Sequence, residues 1–352
     1  MSTEQTLRRG WSTGSCATAC VMAAAATYRE GSVPQQVTVT LPGGGRAAFA
    51  VLDGGTKRDG VWACVKKDAG DDPDVTDGAI VRVRLRHRPH GRGVTFAAGE
   101  GVGVVSRQGL PLMVGEAAIN PVPRLMMVRA LGAETETWQG AWRIEVAIDN
   151  GKKLAQDTWN GRLGIVGGLS VLGTRGIVVP YSCSAWLHAI RQGIDVALAA
   201  GHRHLAAATG KTSEHVLCAQ YGFVPESVLD MGDLLGGVLK GLAPRSFSSF
   251  TLCGGFAKVS KVALGAQDLH VKRFPLDMAS LLACLPRRHT QILRGAQSAG
   301  DLLERAQRAS IAVAPVIATQ AARRLVRRLR RDVRVIIIDR VGTVVADTRM
   351  KP

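Results

Sequence analysis

A chain of 352 residues, 46% hydrophobic and 21% charged, is too apolar to be disordered and too long for one small core, so two folded domains are expected. Its formal net charge of +17 points to an anionic partner: nucleic acid, a membrane surface or a small polycarboxylate. With aromatics at 5% and no nucleic-acid reading motif, nucleic acid is set aside; with no apolar run near the roughly 18 residues of a membrane span and no apolar segment behind the basic pair of MSTEQTLRRGW, neither a membrane protein nor a secretory signal is expected.

The first element is a helix made of small residues, LRRGWSTGSCATACVMAAAAT (7–27), capped by Thr13 or Ser15. Free amides at Gly14, Ser15 and Cys16 suit an anion, although a buried helix with an ordinary cap reads equally well. Cys16 and Cys20 share a face of this helix and read as core. The seven cysteines are never spaced C-x-x-C, which predicts reduced thiols and a cytoplasmic protein.

VTVTLPGG (37–44) is a half-buried strand entering a hairpin. KDAGDDPDVTDG (67–78) is rich in aspartate, but its spacing departs from an EF-hand loop and no glutamate closes it, so no metal is assigned. The strand AIVRVRLR (79–86) sets Arg82, Arg84 and Arg86 on one face, a row suited to carboxylates. Residues 99–124 read as a long non-helical excursion in which Glu116, Asn120 and Arg124 are free to face a ligand. Gly99, Gly101 and Gly103 echo a dinucleotide fingerprint, but no strand-to-helix transition follows them.

LGIVGGLSVLGTRGIVVP (163–180) reads as three short strands broken by glycine turns, whose bare backbone serves either tight packing or a ligand. Beyond it the periodicity changes. Residues 182–201 form an amphipathic helix, followed by HLAAATG (204–210), SVLDMGD (227–233), FTLCGG (250–255) and VRVIIID (333–339), with helical sequence between them. This is the rhythm of a parallel sheet whose ligand lies at the carboxyl ends of its strands. The expected fold is therefore a β-rich α+β domain over 1–178 and a Rossmann-like α/β domain over 179–352, the second binding a cofactor. Asp230 and Asp233 flank Gly232 either as ribose ligands or as helix caps; Gly254 and Gly255 precede Lys258 and Lys261 either as an anion site or as a plain turn with surface lysines. TGKT (209–212) mimics the end of a P-loop, but Leu205 stands where its first glycine belongs. The basic run 323–334 is the charged outer face of an amphipathic helix that buries Ala318, Ala322, Leu325 and Leu329.

Six blocks, RGWSTGSCATA, KDAGDDPDVT, GEGVGVVSRQGL, GEAAINPVPR, NGRLGIVGGLSVLGTRGIVVPYS and GGFAKVSKVALG, together resemble the cobalt-precorrin-5B C(1)-methyltransferase family of cobalamin biosynthesis, CbiD, from about residue 7 to about residue 285. The resemblance implies methyl transfer from S-adenosylmethionine to ring carbon C1 of a corrinoid, whose many carboxylates suit the positive charge. On that reading Thr209, Gly210, Asp230, Gly232, Asp233 and Gly254 line the cofactor. Thr13, Gly14, Ser15, Arg82, Arg84, Asn120, Arg124, Lys258 and Lys261 face the substrate, and His270 is the candidate for proton transfer. The chain departs from the family pattern at Trp11 and Ser12, usually Tyr and Thr, and at Gly255 and Ala257, where His and Gly are expected. A corrinoid-binding protein without chemistry is the alternative, and self-association is left open.

Overall fold

Small side chains let one helix be packed from two sides, and the first unit, Met1–Cys183, is built on that. In the computed structural model, which describes residues 7–134 and 140–352, a two-residue strand β1 (Gly10–Trp11) leads into α1 (Thr13–Glu30). Ser12 caps α1 by accepting the Ser15 amide, and Gly31 ends it in the left-handed conformation at φ 73°. Cys16, Ala17, Ala19, Cys20, Ala23 and Ala24 are wholly buried.

The strands β2 (Gln36–Thr40) and β3 (Arg46–Ala50) form the expected hairpin. A five-stranded sheet takes β4 (Asp53–Lys57), β5 (Gly60–Lys66), β6 (Ile80–Arg88), β7 (Gly93–Ala98) and a later strand. After β8 (Val104–Val105) come α2 (Pro121–Glu134) and that later strand, β9 (Ala141–Ile148). The order is β4-β5-β6-β9-β7, antiparallel except for the parallel β7/β9 pair. Val81, Val83 and Leu85 of β6 and Ile144, Val146 and Ile148 of β9 turn inward and join α1 in one apolar core. The excursion after residue 99 ends sooner than expected, because α2 begins at Pro121 and puts Arg124 in its first turn. Prolines there forfeit no helical hydrogen bond.

The turn α3 (Gly151–Leu154) precedes β10 (Ile165–Val166), which pairs with β8, and β11 (Ile177–Val178), which pairs with β1. Four of the five glycines in residues 163–180 serve packing. A Cβ would press on Arg107 at Gly164, on the Gly101 backbone at Gly168, on the Ser12 side chain at Gly173 and on Leu41 and Ser15 at Gly176.

The second unit, Ser184–Pro352, contains a five-stranded sheet. Its elements are α4 (Cys183–Ala199), β12 (His204–Ala208), α5 (Lys211–Tyr221), β13 (Val228–Asp230), α6 (Leu235–Leu242), β14 (Ser249–Gly255) and α7 (Phe256–Ala263). There follow α8 (Met278–Ala283), α9 (Arg287–Leu293), α10 (Ala299–Arg308), α11 (Val313–Leu329), β15 (Asp332–Ile338) and β16 (Val344–Met350). The order is β13-β12-β14-β15-β16, the first four parallel and β16 antiparallel. The expected class, an α+β unit followed by a Rossmann-like α/β unit, is the observed one. α4 lies close on α6 because Gly237 and Gly241 make room for Leu187 and Ile194.

Candidate functional site

The sheet of the second unit changes direction at its first strand. From β12 the chain moves to β13 on one side, then returns past β12 to β14 on the other. At such a switch point the loops leaving the two central strands diverge and open a crevice at their carboxyl ends. Thr209–Gly210 after β12 and Gly254–Gly255 at the end of β14 are those loops, and Asp230 to Asp233 lie at the end of β13.

Within this edge, Lys258 of α7 links two of the loops. Its Nζ donates to the Thr209 carbonyl at 2.9 Å and lies 3.2 Å from Asp233 Oδ1. Asp233 Oδ1, shielded from water, thus has the Lys258 ammonium as its ion partner. Lys261, one turn on, is buried and donates to the Leu269 carbonyl at 2.6 Å; burial lowers its pKa, while Asp233 opposes the shift. The Leu269 amide in turn donates to the Asp233 carbonyl at 2.9 Å, which holds the following His270 beside this edge. His270 Nδ1 accepts the Lys272 amide at 3.3 Å, a long contact that orients the ring. Gly254 is buried and leaves room for the Thr209 side chain, whereas a Cβ at Gly210 or Gly255 would meet nothing within 4 Å. The backbone is therefore bare where the loops open.

Sequence reasoning picked Thr209, Gly210, Asp230, Gly232, Asp233 and Gly254 at strand ends, Lys258 and Lys261 on the helix that follows and His270 as a proton-transfer candidate, and the fold brings them to one edge. It missed Trp186 of α4, whose Nε1 donates to the Asp230 carbonyl at 2.9 Å and whose ring lies against Gly232. No local signal marks that contact, since it depends on the packing of α4.

In the first unit, Thr13, Gly14, Ser15, Asn120 and Arg124 come together around the start of α1. The Gly14 amide donates to the Leu172 carbonyl at 2.9 Å and the Ser15 hydroxyl to the Gly176 carbonyl at 2.6 Å. Thr13 Oγ1 accepts the Leu172 amide at 3.0 Å. The Asn120 amide donates to the Val171 carbonyl. Arg124 clips the preceding loop, donating to Glu116 at 3.0 Å and to the carbonyls of Ile119 and Ala117. Its guanidinium, with the Met113 amide as the larger cause, holds the Glu116 carboxyl below its ordinary pKa.

The acidic loop closes beside the same helix end. Lys67, 2% exposed, pairs with Asp74 at 2.8 Å. Asp68, Asp71, Asp72 and Asp77 accept backbone amides of Gly70, Arg8, Tyr181 and Ala69. Among the described residues no group of three or more His, Cys, Asp or Glu side chains is set to hold a metal ion.

Arg82 and Arg84 stand apart from that junction, on the face of β6 turned away from α1. Arg82 makes two bonds of 2.9 Å to Asp149, which raise its pKa and lower that of Asp149. Arg84 and Arg86 share Asp59 at 2.9 and 3.0 Å. Trp62 on the neighbouring strand lies under Lys57 and Arg82, so this face is a shallow basic pocket with an aromatic floor.

No helix among the described residues is long and apolar enough to cross a membrane. The CbiD family model matches residues 1–180. The cobalt-precorrin-5B C(1)-methyltransferase of Rhodospirillum rubrum is 46% identical over 351 residues, covering 97% of this chain and 98% of its own. That of Bradyrhizobium is 45% identical over 96% of this chain and 93% of its own, and that of Paramagnetospirillum magneticum 44% identical over 99% of each. A 1.9 Å crystal structure of the cobalamin biosynthesis protein CbiD from Archaeoglobus fulgidus is 23% identical, with a TM-score of 0.40, over 87% of this chain and 85% of that one. With relatives this similar along nearly its whole length, the chain belongs to the CbiD family.

Proposed function

We propose that this chain transfers a methyl group from S-adenosylmethionine to C1 of cobalt-precorrin-5B, giving cobalt-precorrin-6A in cobalamin biosynthesis, as a cytoplasmic enzyme. The observation that carries the reading is the 46% identity to a cobalt-precorrin-5B C(1)-methyltransferase along 97% of the chain, a match that runs through both units. A corrinoid precursor bears many carboxylates, and a net charge of +17 favours its capture.

The residues of the switch-point crevice fit a nucleoside donor. Bare backbone at Gly210 and Gly255 admits close approach, and the partly exposed Asp233 carboxylate at the end of β13 suits ribose hydroxyls. Thr209, Gly210, Asp230, Gly232, Asp233 and Gly254 are assigned to hold it. S-adenosylmethionine supplies a methyl group on a positive sulfonium that departs as a neutral thioether.

What the chain contributes is placement, since alignment of the two reactants supplies much of the acceleration in such a transfer. Lys258 ties the loop after β12 to Asp233 and so sets the width of the crevice. Lys261 fixes Leu269 and with it His270, the residue assigned to move a proton. Substrate carboxylates are assigned first to Arg84, whose exposed partner Asp59 is shared with Arg86 and readily exchanged, then to Arg82 and Asn120. Thr13, Gly14, Ser15, Arg124 and Lys261 bond within the protein and act on the substrate through the shape they maintain.

The test is mass spectrometry of the corrinoid after incubation of the pure protein with cobalt-precorrin-5B and S-adenosylmethionine. A gain of one methyl is expected. Corrinoid that binds and stays unmethylated would identify a carrier instead.

A further inference from the structure

Trp186 is 41% exposed in a chain with few aromatic residues, yet its indole is fixed at two points. Nε1–H donates to the Asp230 carbonyl at 2.9 Å. The six-membered ring fills the space left by the missing side chain of Gly232, where a Cβ would come within 2.9 Å of Cη2 and Cζ2. Gly232 also has φ 55°, so the turn after β13 has two reasons to carry glycine there. Here an indole is held rigidly at the carboxyl edge of a parallel sheet with part of its surface in water.

The residue after Gly232 is Asp233, whose carboxylate pairs with Lys258 through Oδ1 and keeps its side chain 27% exposed at the same edge. An immobilised aromatic surface and a carboxylate at the same strand end are the two elements by which a nucleoside is read: the base stacks, and the sugar hydroxyls donate. We infer that Trp186 is the stacking surface for the base of the nucleoside bound at the switch-point crevice. This rests on the methyl-donor reading above and assigns the orientation of the donor, with its base toward β13.

The experiment measures S-adenosylhomocysteine binding to the full-length protein by calorimetry and by tryptophan emission, for the wild type, Trp186→Phe and Trp186→Ala. Wild-type binding is expected, with W186F close to it and W186A weaker by about tenfold or more, the usual effect of removing one base–aromatic stack. The emission change on binding should be present in the wild type and lost in W186F, a readout that a tryptophan remote from the ligand would not give. 5′-Methylthioadenosine, which lacks the amino-acid part, should show the same ratio between wild type and W186A. Unchanged affinity in W186A, or an emission change that persists in W186F, overturns the inference while leaving the donor assignment in place. A wild-type protein that does not bind S-adenosylhomocysteine refutes the donor assignment, and the inference with it.

Discussion

Lys67 and Asp74 form an ion pair of 2.8 Å in which the lysine is almost wholly withdrawn from water. Removing one member of such a pair leaves a buried charge without compensation, at a cost of about 3–5 kcal/mol, whereas neutralising both is far milder. Asp74→Asn is therefore expected to lower stability by that order in urea unfolding, and Lys67→Met combined with Asp74→Asn to recover most of it. A single variant as stable as the wild type would contradict the arrangement. Burial alone would raise the Asp74 pKa, but the Lys67 charge and hydrogen bonds from Lys67 and Thr76 outweigh it, and the net shift is downward. A carboxylate depressed in the folded state stabilises it fully above the unfolded pKa and loses that contribution as pH falls through the folded value. The wild-type unfolding midpoint should thus fall more steeply than that of D74N once the pH drops below about 4.

Two glycines are expected to respond in opposite ways. Gly101 sits at φ 74° with the Ile148 carbonyl where a Cβ would go, so Gly101→Ala should destabilise the first unit by about 2 kcal/mol or more. Gly210 is extended at φ 165° with open space around it, so Gly210→Ala should leave the melting temperature unchanged. It should weaken S-adenosylhomocysteine binding in calorimetry, because the methyl occupies bare backbone at the crevice. Equal effects of the two substitutions on binding would remove Gly210 from the site.

At the same crevice, Asp233→Asn should reduce affinity for S-adenosylhomocysteine about tenfold, the scale of a lost charge-assisted hydrogen bond. Lys258→Met should weaken binding too, by releasing both the Thr209 carbonyl and Asp233. Circular dichroism should show both variants folded. Retention of full affinity in both would move the donor elsewhere.

Thiol reactivity offers an independent check of the core. Burial pushes the Cys16 and Cys253 thiols up to about 12 and raises Cys20 well above its ordinary value. All seven cysteines are free, so alkylation at pH 8 followed by peptide mass spectrometry should leave these three unlabelled in the native protein. In denaturant all seven should react. Rapid native labelling of Cys20 would mean that α1 is not packed as described.

Much of the second unit was legible because each parallel strand is an apolar run that ends in glycine or an acid, a local pattern that survives without tertiary context. Asp230, Gly232 and Asp233 could be nominated from that pattern alone. The first unit was less transparent for reasons of distance. The arginine row of β6 follows from alternation, but its partners Asp59 and Asp149 lie in turns that only the sheet register brings near. The Pro121 and Pro123 pair reads as loop until a helix start is allowed for them. Trp186 was invisible because its meaning depends on a glycine 46 positions further on, a contact between elements that no periodicity encodes.

The pairing of β1 with β11 has a kinetic consequence. Gly10 lies opposite Val178, and Thr13 bonds to Leu172 across 159 positions, so the cap of α1 is completed by the far end of its own unit. Such a long closure is slow to form, and on the ribosome it must await the emergence of residue 178. Until then the alanine-rich helix is left with its N-terminal turn undocked. The first unit is therefore expected to ripen late in synthesis, and substitutions at the junction to show themselves as poor yield before they show as weak activity.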